Sequence, residues 1–93
     1  MHELKVDEGM TLKTDQLEFK LAGIWKMDNG ELTASIHSPK HSKLWEEMGE
    51  RFEACVGDTF EIAGSIYKIE KIVEGKHLPD GKYENGHIVI IKE

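Results

Sequence analysis

His37 and His41 stand four residues apart, the spacing at which two imidazoles on one helical face chelate a metal. Between them lies Ser38-Pro39, which places a strand-to-helix boundary inside the pair, so the rings do not share a helical face. No third ligand lies nearby in sequence, and no metal site is expected. Cys55, the single cysteine, falls at the end of an apolar stripe with no Cys-His motif, where a buried, inert thiol is the ordinary expectation. Carboxylates are plentiful but solvated by pattern. With no nucleophile beside a base and no acid and base set apart from the solvated charges, the chain reads as a non-enzyme without a cofactor; an enzyme of unassigned chemistry is the last alternative.

A different chemistry is suggested by Lys40, His41 and Lys43. They crowd the first turn of an expected helix while Glu50 and Glu53 sit near its end, the reverse of what the helix dipole favours. Unpaired amides there, together with Ser38 and Ser42, would suit a phosphate or carboxylate. A polar loop carrying His77 and Tyr83 is a second candidate for the same small anionic ligand. The simpler account is a solvated face, since Lys43 can pair with Glu46 or Glu47 and Glu47 with Arg51.

Two surface features point to a protein partner. Glu46, Glu47, Glu50 and Glu53 make the helix flank acidic, a surface that can dock and steer a basic protein, although solubility is the commoner cause of such a run. Trp25 and Met27 fall on the face opposite Ile24, where they are either covered by the helix, the reading favoured by sequence, or exposed as an interface.

The elements that must position these residues follow from a weak internal repeat. Residues 9–24 and 57–72 match at an offset of 48: Gly9, Thr11, Lys20 and Ile24 recur as Gly57, Thr59, Lys68 and Ile72. Leu12, Phe19 and Leu21 recur as Phe60, Tyr67 and Ile69. Such positions are held by core volume and turn geometry, so the repeat implies a shared backbone course. In each copy a short strand, Thr11–Thr14 or Thr59–Ile62, turns into a strand of alternating apolar residues. The alternation then breaks by a three-residue step to Ile24 or Ile72, the signature of a bulge near Ala22-Gly23 and Glu70-Lys71. A third strand follows each hairpin: residues 32–36 after an Asn29-Gly30 turn, and 88–91 after a turn-rich loop over 75–86. A further strand around Leu4 and Val6 is allowed, and Ile88-Val89-Ile90-Ile91, apolar on both faces, is expected either in the middle of the sheet or under the helix.

One helix is expected between the copies, capped by Ser38 with Pro39 at its first position and ending before Gly57. Its apolar stripe is Leu44, Trp45, Met48, Phe52 and Cys55, with Gly49 inside it. The expected fold is one α+β, mainly β domain over 1–93, in which two three-stranded antiparallel meanders form a small coiled sheet or barrel beside the helix.

At 93 residues the chain is large enough for one core but has a high surface-to-volume ratio, which makes a homo-oligomer a natural way to bury more. Its formal charge of −6 opposes nucleic acid and anionic membranes and suits a basic or neutral partner. Met1-His2-Glu3-Leu4-Lys5 contains no apolar signal region, and the expected location is cytoplasmic. The leading function is therefore a small acidic binding protein of inhibitor, immunity or adaptor type that occupies a protein partner. The alternative is an oligomeric binder of a small, phosphate-bearing ligand.

Overall fold

The computed structural model describes residues 2–93. In chain order the elements are β1 (His2–Asp7), β2 (Thr11–Lys13), β3 (Glu18–Lys26), β4 (Leu32–His37), α1 (Lys43–Met48), β5 (Arg51–Cys55), β6 (Thr59–Ile62), β7 (Ser65–Val73), β8 (Lys76–His77), β9 (Tyr83–Glu84) and β10 (His87–Lys92). Two four-stranded antiparallel sheets, ordered β1-β10-β7-β6 and β2-β3-β4-β5, share one hydrophobic core. The protein is mostly β, with one short helix, and no helix among the described residues is long and apolar enough to cross a membrane.

Alternation builds both hairpins. Leu17, Phe19 and Leu21 are fully buried while Glu18 and Lys20 are not, and Tyr67 and Ile69 are buried on either side of Lys68. The pairing registers coincide at the sequence offset. Thr11 opposes Lys20 and Leu12 opposes Phe19, just as Thr59 opposes Lys68 and Phe60 opposes Tyr67. The Leu21 N–H donates to Met10 O and the Gly9 N–H to Leu21 O; Ile69, Asp58 and Gly57 repeat both bonds. Both expected bulges are present. β4 pairs Leu21 and then Gly23, leaving Ala22 without an opposite residue, and β10 pairs Ile69 and then Lys71, leaving Glu70 without one. Inward-facing parity is thereby restored at Ile24 and Ile72.

Three expectations are corrected. The two main sheets are four-stranded and none closes into a barrel. The chain turns a corner at Glu8-Gly9 and again at Val56-Gly57, so β1 joins β10 and β5 joins β4, and each sheet takes its fourth strand from the beginning of the other half. The helix is only Lys43–Met48, with Ser42 and not Ser38 as its N-cap. Gly49, read from sequence as interior, ends it at φ 86°, a left-handed conformation that glycine adopts without strain, and its N–H bonds Trp45 O at 2.8 Å. Phe52 and Cys55, assigned to the helical stripe, lie on β5, where Phe52 and Ala54 face the core with Glu53 between them. Finally, the 75–86 connection contains the small β8–β9 hairpin.

Candidate functional site

The basic cluster does not converge. Ser42 spends its hydroxyl on the cap, accepting from the Trp45 N–H at 3.1 Å and donating to Pro39 O at 2.7 Å. His41 Nε2 meets Glu18 Oε1 at 3.0 Å, which puts a carboxylate in the middle of the group. Lys43 lines a cleft with Lys13, Asp15 and His41, whereas Ser38 lines a separate one with Thr11, Lys20 and His37; Glu18 borders both. Lys40 is exposed. Ser38 is buried and its Oγ has no hydrogen-bond partner, the one buried side-chain polar atom among the described residues of which this is so.

His77 and Tyr83 do come together, though across the β8–β9 hairpin. Their rings lie 5.1 Å apart, and the Tyr83 hydroxyl donates to Glu8 Oε1 at 3.4 Å. The same oxygen accepts the Gly86 N–H at 2.7 Å, so Glu8 fastens this arm to the body. Desolvation, then the Glu8 charge and hydrogen bond, then Glu74, push Tyr83 ionisation above its usual range. Sequence reasoning missed Glu8, which lies far from Tyr83 in the chain and carries no local signal.

The acidic flank is divided. Glu46 and Glu47 are exposed on α1, Glu50 lies in the turn that follows, and Glu53 is exposed on β5. Glu53 opposes Ser35, and Ser35 opposes Gly23; the next row of the same face is Trp25, Thr33 and Cys55. Core-facing Ala34 and Ala54 alternate with these positions. Trp25 and Glu53 thus share the face of β3-β4-β5 opposite Ala34 and Ala54, a face on which Thr33 is buried and Cys55 half-buried while Trp25 and Glu53 are exposed. Trp25 is 39% exposed, and Met27, at the β3–β4 turn, is 43% exposed. The helix does not cover them, contrary to the sequence reading. α1 turns its buried Leu44 to the core.

Cys55 is half-buried, with Sγ 3.6 Å from Thr33 Oγ1. Among the described residues no group of three or more histidine, cysteine, aspartate or glutamate side chains is arranged to hold a metal. Trp25 and Met27 are thus exposed large apolar side chains, with the carboxylate of Glu53 on the Trp25 face. Comparison with protein-family models, curated proteins and solved structures gives no match.

Proposed function

We propose that this chain is a non-catalytic interaction protein that occupies a protein partner with the outward face of β3-β4-β5. The observation that supports it is the exposure of Trp25, on a sheet face that also carries Glu53, and of Met27 in the turn that follows β3. Aromatic residues and methionine are enriched where proteins meet, and an indole placed on a rigid strand loses little conformational entropy on docking. The net charge of −6 favours a basic partner. A cytoplasmic setting belongs to the same reading, since a single free thiol is at ease in a reducing compartment.

The architecture has its own place in this proposal. We read the chain as two copies of one β-hairpin-plus-strand unit, joined through α1, that have exchanged their first strands. The matching registers and the two bulges 48 residues apart support this reading. A duplicated scaffold frees one copy to diverge at its surface, and Trp25 stands where the second half carries Val73.

A second reading, a small anionic ligand, is favoured by one observation only: the unpartnered Ser38 hydroxyl in a cleft that Lys20 and His37 also line. The deciding experiment is parallel affinity capture from extracts of the native cell with the wild-type chain and a Trp25→Ser, Met27→Ser variant of equal thermal stability. A protein retained by the first and lost by the second is the expected result. An identical retained set, or none, refutes the partner reading.

A further inference from the structure

β3 outruns its neighbour. β2 and the chain just before it cover β3 as far as Leu21, and beyond that point Gly23–Lys26 pairs with β4 alone. Along this stretch the backbone groups directed away from β4 have no backbone partner among the described residues. β7 is built the same way, with β6 ending its cover at Ile69 and the chain continuing through Glu70–Val73 paired to β10 alone. Besides the outer edges of β1, β6, β2 and β5, the two sheets therefore have two further open stretches, at corresponding places on β3 and β7.

They are protected differently. Proteins blunt an open edge with charged side chains, because unpaired amides and carbonyls invite another strand. The β7 edge carries Glu70, Lys71 and Glu74, and its Ile72 is buried. At the corresponding positions β3 has Ala22, Gly23 and Lys26; Lys26 and Glu74 lie 3.6 Å apart and guard both edges alike, so the difference rests on Ala22 and Gly23, and Ile24 is only half-buried. Trp25 is exposed where β7 has a half-buried valine. Of these two stretches, β3 lacks the charged pair that Glu70 and Lys71 form on β7.

We infer that residues 22–26 of β3 receive an extended, basic segment of a partner protein as an added strand. This rests on the interaction reading above and names the partner's chemistry. Unpaired backbone donors and acceptors in a row are satisfied by another extended backbone, and Trp25 supplies a surface for alternate side chains of that strand. The charge follows from the surroundings. Asp7 comes just before Gly9 where the neighbouring chain leaves β3, Asp28 and Glu31 occupy the turn at the far end, and Glu53 lies on the Trp25 face. A second copy of the chain would bring the same carboxylates and a charge of −6 against them.

The test uses the full chain and a short, capped peptide of alternating lysine and valine. Its controls are a glutamate–valine peptide and a lysine–valine peptide N-methylated at alternate residues. The critical variant is Ala22→Glu with Gly23→Lys, which copies the β7 guard and adds no net charge. A Cβ at Gly23 meets nothing within 4 Å and the residue has no positive φ, so the variant should fold, as its melting temperature will verify. The lysine–valine peptide should bind by calorimetry and slow amide exchange at residues 22–26. N-methylation or the double variant should weaken binding about tenfold or more, the equivalent of one or two lost backbone bonds. Absence of binding, equal binding to the double variant, or protection elsewhere overturns the inference. So does concentration-dependent dimerisation that protects 22–26 without peptide, which would make a second copy the occupant. Where capture of a native partner requires Trp25 yet survives the double variant, strand addition fails and the interaction reading stands.

Discussion

Lys26 Nζ and Glu74 Oε2 meet at 3.6 Å, although these residues lie 48 positions apart and end β3 and follow β7 at corresponding places. The contact ties the two halves together where their exposed strand ends approach each other. Both side chains are about half exposed, and solvent screens such a pair. A double-mutant cycle with Lys26→Met and Glu74→Gln, read by urea unfolding, should give a coupling of no more than about 1 kcal/mol that shrinks with salt.

The helix contributes through one side chain. Leu44 is fully buried and is the only buried residue of α1. Leu44→Ala should cost about 2–5 kcal/mol by urea unfolding, a large share of the stability of a domain this size. Glu46→Ala and Glu47→Ala, on exposed positions of the same helix, should each stay within about 0.5 kcal/mol.

Gly86 and Gly23 should respond oppositely to alanine. A Cβ on Gly86 would collide with Val73 O and Gly75 N, where the β8–β9 arm meets the body. Gly86→Ala should lower the melting temperature and loosen the arm, seen as faster amide exchange over 76–84. Gly23→Ala should leave the melting temperature nearly unchanged.

Both tyrosines titrate high. Burial raises Tyr67, whose hydroxyl donates to Gln16 Oε1 at 2.9 Å, and Tyr83 is raised by desolvation and Glu8. The native state thus holds these protons at pH values where the unfolded chain releases them, so stability should fall as pH rises through the ordinary tyrosine range near about 10. Glu8→Gln should bring one ultraviolet-detected tyrosine transition down and leave the other in place.

How far the sequence reveals this depends on what each residue type is constrained by. Phe19, Leu21, Tyr67 and Ile69 must face a core, so their alternation discloses the hairpins, and the three-residue step to Ile24 and Ile72 discloses the bulges. The segment from Leu44 to Cys55 misleads because its apolar residues satisfy two periods. Leu44, Met48, Phe52 and Cys55 fit a helix, but Phe52 and Ala54 fit a strand, and small Ala54 hides the alternation. Gly49 was the available stop signal. Trp25 was legible as to face but not as to cover, since parity fixes direction and says nothing of what packs above. Glu8 and Ser38 take their meaning from distant chain segments that no local pattern records.

The interaction reading is tested most directly by placing a photo-crosslinking amino acid at position 27 and, in a second protein, at Lys5, an exposed residue of β1 in the other sheet. Each protein is irradiated in the native cell. The account predicts a discrete adduct with a basic protein from position 27, lost when Trp25→Ser is added, and no such adduct from position 5. Equal adducts from both positions, or one from position 5 alone, would contradict it.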